Sequence, residues 1–336
     1  TISYYVITSV LAILTGLLMV NLLKPGVGAE LGLVEPVEGL AAAKESFGST
    51  LIHIIPENIL ASFVKSKMLP IIFISILSGI FITKLSNKHK DFFVTASNAG
   101  FELMMKITHL IIRFTPYGVF GIVAVTVARQ AGDTVALLNL ANRLGIYMIA
   151  VMSGLFIHAI IILPLILRLV GKINPYTHFK ALRIPLLTAF STSSSSATLP
   201  LTLEEVEEKS GVSNRVCSLV LPLGATINMD GTALYECVAA MFIAQAYGID
   251  LTFLQQSIVV ITALLASIGA AGIPMAGFVM ISIILTAVGL PLEGVGLILA
   301  VDRILDMFRT SVNVWSDSCG AVVIAKTEGE TLNYDK

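Results

Sequence analysis

Long apolar runs constrain this chain more than any other feature it carries. One begins at the first residues and continues to Leu23. Others cover 48–86 with an interruption near Pro56, 92–129, 137–171, 176–206, 214–247, 251–290 and 294–326, each ended by Gly, Pro or charged residues. A helix needs about 20 mostly apolar residues to span a bilayer, so the runs predict an all-α, multi-pass membrane protein. The first run has no basic leader and no small-residue cleavage site, and it reads as a span, not a signal peptide. Composition agrees. Apolar residues make up 56% of the chain and charged ones 13%, about half the share of roughly 25% usual in soluble domains. With 21 basic against 22 acidic side chains, the chain has no electrostatic footprint for nucleic acid. Cys217, Cys237 and Cys319 lie in apolar segments without CxxC spacing and read as packing residues.

Two runs are split by small residues, at Ser193-Ser194-Ser195-Ser196-Ala197 and at Gly269-Ala270-Ala271-Gly272-Ile273-Pro274. Each arm is shorter than one span, which predicts two re-entrant helical hairpins whose tips are buried or face a water-filled cavity. A run with a polar interruption follows each, at Asn228-Met229-Asp230-Gly231-Thr232 and at Asn313-Val314-Trp315-Ser316-Asp317. Hairpin plus broken helix therefore occurs twice, an internal repeat of the kind that marks a secondary transporter's binding site. Basic residues at Lys84, Lys88, Lys90, Arg168, Lys172, Lys180, Arg183, Lys209 and Arg215 place their loops in the cytoplasm, and the Glu-containing stretch 24–45 outside.

The strongest chemical signal is the series Asp302, Asp306, Arg309, Asn313 and Asp317. At about 100° per residue these share one helix face, a polar stripe on an apolar helix. Ionisable groups at that depth are costly and line a solute path or pair with each other. Two readings stay open: a buried structural pair of Arg309 with Asp306 or Asp302, or a site for a zwitterion with an extra acid. In the second, the arginine fork takes a carboxylate and an aspartate takes an ammonium. Asp317 with Asn313 and Asp230 with Asn228 offer hard oxygens suited to an alkali cation, unless the second pair marks an ordinary kink. The Ser193–Ser196 run is either a flexible linker or a helix-opening tip that presents N–H groups to a carboxylate. Glu236, in an apolar helix without a local cation, is a candidate proton carrier or a glutamate facing a polar crevice. His53, His89, His109, His158 and His178 are scattered and read as structural, and Glu204, Glu205, Glu207 and Glu208 as a solvated helix end. Arg303 lies off the stripe and reads as snorkelling or pairing with Asp302.

At SSSSATLP (193–200), NMDGT (228–232), ASIGAAGIP (266–274) and DMFRTSVNVWSD (306–317), with YYVITS (4–9) upstream, the chain resembles the dicarboxylate/amino acid:cation symporter family. The resemblance implies a homotrimer in a plasma or inner membrane that takes up L-glutamate or L-aspartate with sodium and protons by an elevator mechanism. It implies an inverted-repeat fold in which the first segment here matches the family's third helix, the first two being absent from this sequence. Its parts would be a transport-domain helix at 1–23, an external loop and scaffold helix at 24–86, and a scaffold helix at 92–130. A second transport-domain helix at 137–171, a transport core at 175–326 and a cytoplasmic tail at 327–336 would follow.

Carried over by position, Arg309 would hold the substrate's side-chain carboxylate and Asp306 its ammonium. Asn313 with Ser194 and Ser195 would hold the α-carboxylate, and Thr232, Thr310 and Gly277 would complete the pocket. About three sodium sites are implied: Gly224, Asn228, Asn313 and Asp317; Thr226, Ser267, Ile268 and Ala270; and Tyr5, Thr8, Ser9, Asn228 and Asp230. Glu236 would carry a proton, and Gly269, Gly272, Ile273 and Pro274 would form the gate. No organic cofactor is implied. The second arginine common in the family is absent, since Ser193 and Met307 occupy its two alternative places; Arg303 would be the substitute. Two other classes compete: an ion channel lined by the polar stripe, and an intramembrane hydrolase using a serine of 193–196, for which no activating His or Lys is placed.

Overall fold

The computed structural model describes residues 1–28, 55, 58–64, 68–114, 117–118, 120–121, 124–125, 128, 134–269 and 276–335, and no strand occurs among them. The chain divides into two units, Lys44–Ala131 and the combination of Thr1–Ala43 with Gly132–Lys336.

In the smaller unit, α2 (Ile59–Val64) packs on α3 (Met68–Ile82), and α3 on α4 (Asn87–Ile112). Helix α4 starts five residues before the apolar run predicted from 92, because its first turn, Asn87-Lys88-His89-Lys90-Asp91, is helical but polar.

The larger unit begins with α1 (Ile2–Leu23), which stops where Lys24 turns left-handed at φ 43° ahead of Pro25. Helix α5 (Thr134–Ile157) runs through a π-helical turn at His158–Ile162 into α6 (Leu163–Leu169). Pro164 has no N–H to give to the carbonyl four residues back, and the π turn lies where the ladder is thereby interrupted. Ile2–Leu23 and Leu138–Leu169 are each long and apolar enough to cross a membrane.

Then come α7 (Pro175–Ala181), α8 (Arg183–Thr192), α9 (Ser195–Glu205), α10 (Asn214–Ile227), α11 (Asp230–Ala246), α12 (Phe253–Gly269), α13 (Ala276–Val288) and α14 (Val295–Thr327). Helices α8 and α9 pack on each other around a two-residue turn. There Ser193 is left-handed at φ 52°, and Ser194 caps α9 by accepting the Ala197 N–H at 3.2 Å. Helices α12 and α13 also pack together. The gate positions Gly272, Ile273 and Pro274 and the cation position Ala270 lie outside the described residues, just past Gly269 at the end of α12.

Helix α11 is the axis of this unit. Every residue from Asp230 to Ala244 is buried, as a helix that is apolar all round requires, and α1, α5, α12, α13 and α14 pack on it. Close approach depends on small residues: a Cβ on Gly16 of α1 would sit 2.9 Å from the Leu234 side chain.

One expected break is absent. The run Asn313–Asp317 does not interrupt its helix, which continues from Val295 to Thr327. Of the two expected broken helices, only the one at Asn228–Met229 is interrupted. Residues 306–317 contain neither Gly nor Pro, so their polar side chains leave the backbone ladder intact.

A C-terminal strap ties α14 back to the base of the α8–α9 pair. Leu332 is fully buried, Asn333 donates to the Glu208 carbonyl at 3.0 Å, and Glu330 accepts from the Ser213 backbone at 2.9 Å. The Tyr334 hydroxyl bonds Ser210 at 2.7 Å and His178 at 2.9 Å, and His178 bonds Ser318 of α14 at 3.2 Å. Burial pushes the Tyr334 phenol up to about 12, so it stays protonated at neutral pH. Replacing Tyr334 by Phe is expected to cost about 1–3 kcal/mol, read as a lowered thermal midpoint in detergent with helicity retained. The Glu204–Glu208 run is less solvated than expected: Glu204 and Glu208 are exposed, but Glu205 is buried and paired with Lys209.

Candidate functional site

Two polar clusters meet on the stripe of α14. In the first, Arg309 is 1% exposed and Asp302 and Asp306 are equally hidden. The Arg309 Nε donates to Asp306 Oδ1 at 2.8 Å, and its Nη1 lies 3.3 Å from Asp302 Oδ1. The guanidinium also stacks over the Tyr235 ring of α11, 4.2 Å from its centroid. Gly277, in the first turn of α13, packs on the fork: a Cβ there would stand 2.8 Å from Nη1. Of the two readings left open by the sequence, the buried pair is thus present, and it involves both aspartates. Asp302 Oδ2 is buried without a hydrogen-bond partner. Arg303 is over half exposed, as the snorkelling alternative has it, and its nearest carboxylate is Asp306 at 3.9 Å, not Asp302.

The second cluster gathers at the break between α10 and α11. Asn313 reaches across from α14, and its oxygen accepts the Gly231 N–H at 2.7 Å, while its amide donates to the Thr232 hydroxyl at 3.0 Å. A side chain of another helix thereby satisfies donors that the start of α11 leaves unpaired. Gly231 has no Cβ because one would fall 2.4 Å from the Arg309 carbonyl.

Asn228 donates to Asp317 at 2.9 Å and to Ser316 at 3.0 Å, and accepts from Thr8 at 3.1 Å. Asp230, fully buried, accepts from Ser9 at 2.7 Å and from Ser316 at 2.6 Å. Its second oxygen also bonds His158 Nε2 at 2.9 Å. Gly224 leaves room for the Asp317 carboxylate, whose Oδ1 a Cβ would meet at 2.5 Å. The Tyr5 hydroxyl donates to the Val220 carbonyl at 2.6 Å. These are hard oxygen donors on four helices, and their chemistry fits an alkali cation.

The structure thus brings together Tyr5, Thr8, Ser9, Gly224, Asn228, Asp230, Asn313 and Asp317 around the break. It does not join the second proposed cation set in the same way. Thr226 is exposed and bonds the Leu223 carbonyl, and Ser267 bonds that of Leu264, each within its own helix. Glu236 is fully buried, and neither carboxyl oxygen has a hydrogen-bond partner.

Sequence reasoning missed three neighbours. His158, read as structural, bonds Asp230 across 72 positions, and no spacing rule reveals such a pair. Tyr235, next to Glu236 in an apolar run, carries no motif that points to Arg309. Ser316 stood inside the motif, three residues past Asn313 and on its face, and that periodicity was a usable signal.

Spans of bilayer length, a buried guanidinium flanked by carboxylates and an oxygen cluster at a helix break define the class of membrane proteins that move charged solutes. The model of the sodium:dicarboxylate symporter family matches residues 1–327. The proton/glutamate-aspartate symporter of Escherichia coli (strain K12) is 36% identical over 337 aligned positions, covering 98% of this chain and 75% of that protein. The proton/sodium-glutamate symport protein of Geobacillus stearothermophilus is 35% identical, covering 98% of this chain and 78% of its own length. Excitatory amino acid transporter 3 of Mus musculus is 45% identical over 269 positions; these are 79% of this chain but half of the mouse protein. The chain belongs to the sodium:dicarboxylate symporter family.

Proposed function

We propose that the chain takes up L-glutamate or L-aspartate together with sodium and protons, as a secondary active symporter that alternates access by an elevator motion within a homotrimer. The observation that carries this reading is Arg309, the one buried guanidinium among the described residues, set between two carboxylates and beside the oxygen cluster. An acidic amino acid presents both charges the site can exchange. Its side-chain carboxylate replaces Asp306 on the arginine fork, and its ammonium takes the freed Asp306, so the fork and the freed aspartate each keep an opposite charge. Membership of a dicarboxylate symporter family favours this exchange over a permanent structural pair. Asn313 with the Ser194–Ser195 tip receives the α-carboxylate, and Thr232, Thr310 and Gly277 close the pocket.

Sodium is a co-substrate. One ion lies among Gly224, Asn228, Asn313 and Asp317, and another among Tyr5, Thr8, Ser9, Asn228 and Asp230, where the oxygen donors already converge. A third set, Thr226, Ser267, Ile268 and Ala270, requires the hydroxyls of Thr226 and Ser267 to turn from their own helices. The segment from Gly269 to Pro274 is the gate. The substrate enters with net charge −1 against an inside-negative potential, at a cost of about 2.3 kcal/mol per charge per 100 mV, which co-bound cations offset.

Uptake of labelled aspartate into proteoliposomes, with sodium, proton and potassium gradients imposed separately, tests the reading. A sodium gradient is expected to drive accumulation, and conductance without accumulation would favour the channel. Glu236, buried without a partner, suits a carboxyl that crosses as the neutral acid. Glu236→Gln is expected to abolish pH-driven uptake while leaving substrate exchange; undiminished pH-driven uptake would reject the proton role.

A further inference from the structure

A groove of about 670 Å³ runs along the larger unit, on a different face of α14 from the polar stripe, between the α5–α6 span, the α7–α8 corner and α14. Phe156, Leu187, Phe179, Phe308 and Trp315 wall it, and Arg183 stands at its rim. Two of its polar groups are already committed: the Trp315 indole donates to the Ala159 carbonyl at 3.1 Å, and the Ser311 hydroxyl to the Leu186 carbonyl at 3.2 Å. Tyr176, largely exposed, adds a hydroxyl to the lining, but the walls are otherwise apolar, and they suit a mainly apolar occupant.

The rim has the opposite character. Arg183 is exposed and forms no ion pair with a carboxylate among the described residues. It belongs to a stretch from 163 to 203 that carries Arg168, Lys172, Lys180 and Arg183 without one Asp or Glu. This basic stretch begins where the membrane-length helix Leu138–Leu169 ends. A basic corner beside an apolar groove that opens along a spanning helix is complementary to one kind of molecule: a long hydrocarbon chain ending in an anion.

We propose that the groove holds one acyl chain of an anionic glycerophospholipid, whose phosphate pairs with Arg183. The occupant comes from the surrounding bilayer. The proposal requires that the chain be a membrane protein and not that it transport acidic amino acids, so the two stand or fall separately.

Trp315 is the one tryptophan of the chain and forms part of the groove wall, so its fluorescence reports occupancy. The full chain is reconstituted into nanodiscs with phosphatidylglycerol or phosphatidylcholine carrying brominated acyl chains, each at matched mole fractions in an unbrominated phosphatidylcholine background. Brominated phosphatidylglycerol is expected to half-quench Trp315 at a several-fold lower mole fraction. Arg183→Gln, at an exposed position, is expected to fold normally and to remove that preference, leaving the two lipids equal. Lys90→Gln, which deletes a positive charge from the other unit, is expected to leave it unchanged. Equal quenching by the two lipids in the native chain overturns the proposal. So does a preference that survives Arg183→Gln, or one that Lys90→Gln abolishes equally.

Discussion

Replacing Arg309 by Cys is expected to abolish uptake of aspartate and glutamate. The guanidinium is fully buried and makes its contacts through a fork that no other side chain reproduces. Truncating one member of a buried, hydrogen-bonded charge pair costs about 2–5 kcal/mol, a loss of roughly 30- to 5,000-fold in affinity at 1.4 kcal/mol per factor of ten. Asp302 and Asp306 would then lose their buried cation, with only the largely exposed Arg303 left 3.9 Å from Asp306, which also threatens stability. Arg309→Lys separates the effects: it keeps a charge for the aspartates but loses the planar fork, so the protein is expected to fold while acidic uptake stays at background. Unchanged aspartate uptake in the Lys variant would refute the carboxylate role. A permanent structural pair predicts the reverse pattern, with Lys restoring function along with folding.

Asp317→Ala is expected to raise the sodium concentration needed for half-maximal binding. The carboxylate is buried against Gly224 and accepts from Asn228. Losing an anionic partner of this kind is worth about 1.5–3 kcal/mol, or roughly a 10- to 150-fold rise in the sodium required. Because binding free energies are linked reciprocally, aspartate affinity at fixed sodium falls with it. High sodium restores aspartate binding in Asp317→Ala but not in Arg309→Lys, which distinguishes a cation ligand from a substrate ligand. An unshifted sodium dependence, measured by titration with labelled aspartate, would dismiss the cation site.

Both predictions rest on residues that the sequence already singled out, yet the sequence described their surroundings unevenly. The turn at Ser193–Ser194 and the break at Asn228–Met229 were legible because each carries a local cause, a helix-capping serine in one and Gly231 beside a polar pair in the other. The continuity of α14 was not. Polar residues at membrane depth suggested an interruption, but Asn313 directs its side chain to the start of α11 while its own backbone remains helical. The π turn that carries His158 escaped notice for a related reason: Pro164 marked a place of strain, not the direction in which the histidine would point.

From the sequence alone came the helical membrane class, the two helices of membrane length, the kinship and the face on which the charged residues of α14 lie. Each follows from neighbours along the chain, since run length and helical period act within a few turns. Only the tertiary structure decided that Arg309 sits between Asp302 and Asp306 under Tyr235. It alone joined Asp230 to Ser9, His158 and Ser316, residues 221, 72 and 86 positions away. Such bonds depend on how helices cross and where a missing Cβ lets them approach, and no periodicity along one helix contains that information.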